Sequence, residues 1–143
     1  MKIRVVKRED VRAIVQVEMS SGYHRIKFDF EPCILELFEK GHRIFCAEEN
    51  GFFVGYSSLS DCGEIGFLAV SKKYRGRGIA SLLLKRVFSF AKRKKIKRLF
   101  LDVRKDNLPA IGLYQKNNFG ITKSYRKKID GKGILKLRME KKL

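Results

Sequence analysis

The sequence of 143 residues predicts an α/β fold in which about four helices flank a mixed, mostly antiparallel sheet of about seven strands. Two pairs of apolar segments flank Asn50-Gly51 and Asp130-Gly131, and both dipeptides favour the positive φ angles of two-residue hairpin turns. Between these hairpins, apolar residues recur at intervals of three and four, which indicates a long amphipathic helix. Hairpins combined with such helices favour a mixed sheet on which the helices pack.

The first half of the chain predicts two helices and four strands. The elements, in order, are a strand at 2–6, a helix that begins at Glu9 and Asp10 and ends before Ser20, a short helix from Pro32 to Gly41, and strands at 42–48, 52–58 and 64–70. The last three strands follow one another closely, so we expect them to pair antiparallel.

The second half predicts two helices and three strands. The elements are a long helix with Ala80, Leu83, Leu84, Val87, Phe88 and Ala91 on one face, a strand through Leu99, Leu101 and Val103, a helix at 107–117, and strands at 119–125 and 133–139. The complete predicted order is β-α-α-β-β-β-α-β-α-β-β.

Charge and composition limit the classes of protein that fit. The chain has 33 Lys and Arg against 15 Asp and Glu, and residues 71–143 hold 24 of the basic residues but 4 of the acidic ones. Such a field attracts anions: phosphorylated cofactors, acidic peptides or nucleic acid. No signal peptide or membrane span is recognisable, and three cysteines at long spacings fit free thiols in a reducing compartment. We therefore expect one cytoplasmic domain over residues 1–143, without a membrane partner.

A metal centre is not expected. The two histidines, His24 and His42, are far apart in the sequence, and the cysteines lack the close spacing of a zinc site.

The most informative segment is the loop that follows the strand at 64–70. It contains Arg75-Gly76-Arg77-Gly78 directly before the long helix, whose first backbone N–H groups have no partner within the helix and can bind a pyrophosphate. The glycines allow a close backbone approach to the anion. A dinucleotide fingerprint is excluded because Ser81 replaces its third glycine, and the Gly-Lys-Ser/Thr of a nucleoside triphosphate loop is absent.

These residues resemble the GNAT superfamily of acetyl-CoA-dependent N-acetyltransferases. Arg75 to Ala80 match the family's Gln/Arg-x-x-Gly-x-Gly/Ala loop, and 107–119 resemble its Asn-x-x-Ala-x-x-x-Tyr segment, with Asn118 in place of a glycine. Leu101-Asp102-Val103-Arg104 resembles a strand of the enzymes that acetylate ribosomal-protein and peptide N-termini. The resemblance covers nearly the whole chain.

The resemblance implies a binding site for acetyl-CoA. The strand at 64–70 is expected to separate from its neighbour, with Gly66 forming a bulge. The residues expected to bind the cosubstrate are Leu68, Ala69, Val70, Arg75, Gly76, Arg77, Gly78, Ile79, Ala80, Ser81, Asn107, Ala110 and Tyr114.

Acyl transfer to an amine also needs proton transfers. By the resemblance, Tyr114 is the general acid that protonates the coenzyme A thiolate. The general base is left open between Glu64, Asp102 and no protein group, and either carboxylate is expected to act through water with a pKa raised by partial burial.

The acetyl acceptor is expected between the loop at 19–31 and the hairpin at 125–133, with Tyr23, Phe28 and Tyr125 as contacts. The first hypothesis is a protein or peptide N-terminal α-amine, attacked directly in a ternary complex. Alternatives are a small-molecule amine, or a catalytically silent nucleic-acid or ribosome-binding module on the same scaffold. Proximity to the ribosome would suit the basic half and a nascent-chain substrate.

Overall fold

The computed structural model describes residues 1–21 and 30–143. Its elements, in chain order, are β1 Lys2–Val5, α1 Val11–Ser20, α2 Glu31–Glu39, β2 Arg43–Glu49, β3 Phe52–Leu59, β4 Ile65–Val70, α3 Ile79–Arg93, β5 Arg98–Arg104, α4 Leu108–Lys116, β6 Gly120–Ile129 and β7 Lys132–Lys142. The predicted fold class and element order are confirmed. β6 extends beyond its predicted end because the β6–β7 ladder continues to the hairpin turn, and β7 extends to Lys142 because its last residues pair with β5.

The strands form two antiparallel sheets, with orders β1-β2-β3-β4 and β5-β7-β6. A parallel bridge between Glu64 and Phe100 joins them where β4 and β5 begin. The two predicted hairpin turns are present, with φ of +52° and +81° at Asn50 and Gly51, and of +51° and +75° at Asp130 and Gly131. These angles fit the type I′ turns that match strand twist.

Helices cover both faces of the sheets. α3 and α4 bury Leu83, Leu84, Val87 and Tyr114 on one face. α1 and α2 bury Ile14, Val17 and Ile34 on the other, together with Tyr56 and Ala69 of the sheet. Side chains of a strand alternate between faces, so successive residues of β4 face opposite layers. We call the side covered by α1 and α2 the α1 face.

Of the helices in residues 1–21 and 30–143, none combines the length and the apolar character needed to cross a bilayer. Across the same residues, no group of three or more His, Cys, Asp and Glu side chains converges as metal ligands would.

Candidate active site

A gap between β4 and β5 forms the centre of the site. The strands meet at the Glu64–Phe100 bridge, where the Phe100 N–H donates to the Gly63 carbonyl at 3.0 Å. Beyond this point β4 pairs with β3, and β5 pairs with β7 in the other sheet. The expected separation of the strand at 64–70 from its neighbour is therefore present.

A bulge in β4 lies at the beginning of this gap. Leu68 pairs with Ser57 and Ile65 with Leu59, so Gly66 and Phe67 together oppose Ser58. The Phe67 N–H donates to Ser58 Oγ at 3.0 Å. A Cβ on Gly66 would lie 2.9 Å from that oxygen, which explains why glycine occupies the bulge.

The pairing of β4 with β3 determines which backbone groups of β4 face the gap. The Ser71 N–H donates to the Val54 carbonyl at 2.8 Å, and Tyr56 pairs with Ala69 two residues away. Antiparallel pairs alternate, so the Ala69 backbone groups point to β3 and those of Leu68 and Val70 point to the gap. Of the three β4 residues expected to bind the cosubstrate, Leu68 and Val70 direct their backbone groups into the gap, and Ala69 does not.

The loop before α3 presents the other backbone donors. Gly76 and Gly78 have φ of +76° and +78°, in the left-handed region that glycine adopts without strain. Gly78 is the N-cap of α3, and the first intrahelical bond runs from the Leu82 N–H to the Gly78 carbonyl. The N–H groups of Ile79, Ala80 and Ser81 therefore have no intrahelical acceptor and fit an anion at this helix end.

These features line one cavity of ≈ 630 Å³. It extends from the α3 N-terminus along β4 to β5 and α4. The residues around it are Glu18, Gly66, Phe67, Leu68, Ala69, Val70, Tyr74, Arg75, Gly76, Gly78, Ile79, Ala80, Ser81, Asp102, Val103, Arg104, Asn107, Pro109, Ala110, Leu113, Tyr114, Lys116 and Lys136. All the residues expected to bind the cosubstrate, except Arg77, are among them.

The two arginines of the loop have different surroundings. Arg75 lines the cavity, and its guanidinium donates to the Ser21 carbonyl beyond the end of α1, which ties the loop to that helix. Arg77 lies outside the cavity lining; its guanidinium is 4.9 Å from the centre of the Tyr74 ring and 3.9 Å from Glu49. The expected contact of Arg77 with the cosubstrate therefore has no support in the cavity geometry.

α4 brings two predicted residues to the cavity wall. Asn107 is the N-cap of this helix, since its Oδ1 accepts from the Ala110 N–H at 3.3 Å. Tyr114 is 8% exposed and packs edge to face on Phe119 at 5.7 Å between ring centres. The ring is thus fixed by packing, which suits a hydroxyl that must meet one atom of a ligand.

The two carboxylates considered as bases occupy different positions. Glu64 is at the closed end of the gap, outside the cavity lining, where its N–H donates to Ser60 Oγ at 2.9 Å. Asp102 lines the cavity and accepts from Nε and Nη2 of Arg138, both at 2.9 Å. These bonds lower the pKa of Asp102 despite its partial burial. The expected rise of this pKa is therefore wrong: the gain from Arg138 exceeds the cost of desolvation.

Tyr125 is on the same face as Asp102. Burial, followed by the Asp102 charge, raises the pKa of Tyr125, so its hydroxyl stays protonated and faces the Asp102–Arg138 pair. Lys136, directly opposite Tyr125 on β7, also lines the cavity. Tyr23 and Phe28, the other two expected acceptor contacts, lie outside the described residues.

Glu18 is a cavity residue for which the sequence indicated no function. It belongs to the last turn of α1 and is 6% exposed. Its carboxylate accepts a hydrogen bond of 2.7 Å from the Tyr56 hydroxyl. The signal for its burial is in the sequence, since Glu18 lies four residues after Ile14 and seven after Val11, on the apolar face of the helix.

The comparisons with known proteins agree with this geometry. The model of the acetyltransferase (GNAT) family matches residues 8–119. A Bacillus subtilis protein assigned as a ribosomal protein bS18 alanine N-acetyltransferase is 29% identical over 130 residues, which are 86% of this chain and 85% of that protein.

Two solved structures have the same fold. The ribosomal-protein-S18-alanine N-acetyltransferase of Escherichia coli aligns with a TM-score of 0.82 at 21% identity, over 97% of this chain and 91% of that one. An acetyltransferase of Salmonella typhimurium, solved with its cofactor acetyl-CoA, aligns with a TM-score of 0.79 at 19% identity, over 99% and 92% of the two chains.

Proposed function

Because the chain belongs to the acetyltransferase (GNAT) family, we propose that it transfers the acetyl group of acetyl-CoA to the N-terminal α-amine of a protein or peptide. The observation that carries the proposal is the continuous cavity from the α3 N-terminus through the gap between β4 and β5. Acetyl-CoA is the cosubstrate of this N-acetyltransferase family. The choice of an N-terminal amine is supported by the Bacillus subtilis relative, which is assigned as a ribosomal protein bS18 alanine N-acetyltransferase.

Acetyl-CoA fits the two sets of backbone donors described above. The first-turn N–H groups of α3 suit its pyrophosphate, because they combine unpaired donors with the positive end of the helix dipole. The edge of β4 at Leu68 and Val70 suits the amides of its pantetheine arm, which can pair with the backbone as an added strand does. The thioester would then lie in the gap, where a backbone N–H can stabilise the oxyanion of the tetrahedral intermediate.

The reaction is direct attack in a ternary complex. The acceptor's ammonium group first loses a proton to water, and the neutral nitrogen then forms a bond to the thioester carbon. The C–S bond breaks, the nitrogen releases a second proton to water, and the coenzyme A thiolate takes a proton. We assign that proton to the Tyr114 hydroxyl, which a packed ring holds at the cavity wall. Asp102 is a poor candidate for the base, since Arg138 holds it as an anion with a lowered pKa.

The open side of the gap on the α1 face is proposed to admit the acceptor. Tyr125 and Lys136 lie beside it and are available to a peptide backbone or side chain. Contact with the ribosome or with nucleic acid stays a prediction from the charge of residues 71–143.

A coenzyme A release assay tests this proposal. The enzyme is incubated with acetyl-CoA and a panel of N-terminal peptides, peptides with a blocked N-terminus and one lysine, and small amines. We expect turnover of the free N-terminal peptides and little of the blocked ones. Turnover of small amines alone, with acetyl-CoA bound normally, would refute the peptide acceptor while leaving the acetyltransferase intact.

A further inference from the structure

Glu18 stands out because a buried carboxylate lines a cavity whose other ionic residues are mainly basic. Among the described residues, the cavity includes the cations of Arg75, Arg104, Lys116 and Lys136. The second carboxylate, Asp102, is engaged in two hydrogen bonds of 2.9 Å with Arg138. An amine enters such a site as an ammonium ion, which these cations repel. A negative group in the cavity would offset that repulsion.

Glu18 lies on the side of the sheet from which the acceptor is proposed to enter. Its helix, α1, covers the face of the sheet where Phe67 and Ala69 of β4 direct their side chains. Both residues also line the cavity, next to the bulge at Gly66. The pyrophosphate donors belong to α3, on the opposite face. Glu18 is thus across β4 from the predicted cosubstrate site.

Tyr56 fixes the Glu18 carboxylate in this position. Its hydroxyl donates to Glu18 Oε2 at 2.7 Å, and its ring is fully buried and stacks on Phe67 at 6.3 Å between centres. Burial, with the charge of Glu18, raises the pKa of Tyr56, so the hydroxyl remains a donor. One carboxylate oxygen is therefore oriented by the sheet, and the group is held rigidly enough to select a ligand position.

We propose that Glu18, oriented by Tyr56, is the subsite that binds the positively charged amine of the acetyl acceptor. The inference rests on the proposed transfer to an amine, but it applies to a peptide or a small-molecule acceptor alike. Glu18 is a binding residue for the acceptor, and Tyr56 is a positioning residue that acts through it.

The experiment compares two acceptors that differ in charge at the nucleophile. One is a short peptide with a free N-terminal amine, and the other is the same peptide with an aminooxy group there, which is neutral at pH 7. Glu18→Gln keeps the size of the side chain and an oxygen that accepts from Tyr56, but removes the charge. Loss of a hydrogen bond to a charged group costs enough to raise the KM for the amine peptide about tenfold or more.

For the aminooxy peptide we expect a change of less than about threefold, because no charge is lost in its contact. The KM for acetyl-CoA and the melting temperature serve as controls for the fold and the cosubstrate site. An equal loss with both acceptors would assign Glu18 a purely structural role, and no loss with either would remove it from the site. Both results overturn the proposal.

Tyr56→Phe supplies an independent variant if Glu18→Gln does not fold. It keeps the buried ring and the Glu18 charge but removes the orienting hydroxyl, so its effect should again fall on the amine peptide more than on the aminooxy peptide. Equal effects would contradict the proposal.

The acceptor can be changed if the wild-type enzyme acetylates no peptide. The same comparison is then made with its best small amine and the aminooxy analogue of that amine. Failure of the peptide acceptor and failure of the Glu18 subsite are therefore separate outcomes.

Discussion

Asp102 on β5 and Arg138 on β7 form a two-bond ion pair on the α1 face of the sheet, with both N–O distances at 2.9 Å. The two residues are direct cross-strand partners, so the register of the ladder brings them together. A carboxylate held in this way remains ionised and accepts a proton poorly. The pair has consequences for both catalysis and stability.

Asp102→Asn should leave most of the activity intact. If Asp102 supports the site through Arg138 and does not act as the base, we expect kcat to fall by less than about tenfold, short of the loss that removal of a general base causes. The pH–rate profile should keep its acidic limb at the same pH. A fall of several hundredfold together with loss of that limb would restore Asp102 as the base.

The same pair should stabilise the protein at neutral pH and lose this effect in acid. Because the pKa of Asp102 is lowered in the folded state, the stabilisation is complete above the ordinary pKa near 3.8 and disappears as the pH falls through the lowered value. At pH 7, Asp102→Asn should cost about 1 kcal/mol or less of unfolding free energy, since both side chains are partly exposed. Denaturant unfolding at several pH values measures this difference, which should shrink below about pH 4. A difference that grows in acid would contradict the sign.

Gly78→Ala should weaken the binding of acetyl-CoA. At φ +78° an alanine is strained, and no heavy atom lies within 4 Å of the added Cβ, so the cost is conformational, about 1 kcal/mol. Relief of that strain would turn the first amides of α3 away from the ligand. Calorimetry with acetyl-CoA and denaturant unfolding measure the two effects.

Gly131→Ala is the matched control for this variant. Gly131 has φ +75° and equally open surroundings, but it lies in the β6–β7 turn, outside the cavity lining. It should lose similar stability and keep the affinity for acetyl-CoA. Equal affinity losses in both variants would show that the effect is general destabilisation.

Tyr114→Phe should reduce turnover and leave cosubstrate binding unchanged. The ring keeps its edge-to-face contact with Phe119, while the hydroxyl assigned to the thiolate is removed. We expect kcat to fall about 100-fold, within the usual range for a general acid. Initial rates and calorimetry on the same preparation measure the two quantities. An unchanged kcat would remove Tyr114 from the proton-transfer step.

Local chemistry made much of the fold predictable. Asn50-Gly51 and Asp130-Gly131 tolerate positive φ, and few other dipeptides do, so both hairpins could be located from the sequence. The loop at Gly76 and Gly78 was predictable for the same reason, because its backbone conformation requires those residue types. The direction of the Phe67 and Ala69 backbone toward β3 was harder to foresee, since it depends on the register of β4 against β3.

The contacts that decide the chemistry join distant parts of the chain. Asp102 and Arg138 are 36 residues apart, and a shift of one residue in the β5–β7 register would have directed them to opposite faces. That pairing reversed the expected pKa shift of Asp102. Glu18 and Tyr56 are 38 residues apart, so the apolar face of α1 indicated burial of Glu18 but could not show what it contacts.

Backbone amide chemical shifts, followed by two-dimensional NMR while acetyl-CoA is added, test the cosubstrate site most directly. If the first turn of α3 and the free edge of β4 bind acetyl-CoA, the amides of Ile79, Ala80, Ser81, Leu68 and Val70 should shift together and saturate at one equivalent, while Gly51 stays unchanged. Absence of shifts, or shifts confined to the lysine-rich strands β6 and β7, would contradict this site and the transfer mechanism that depends on it.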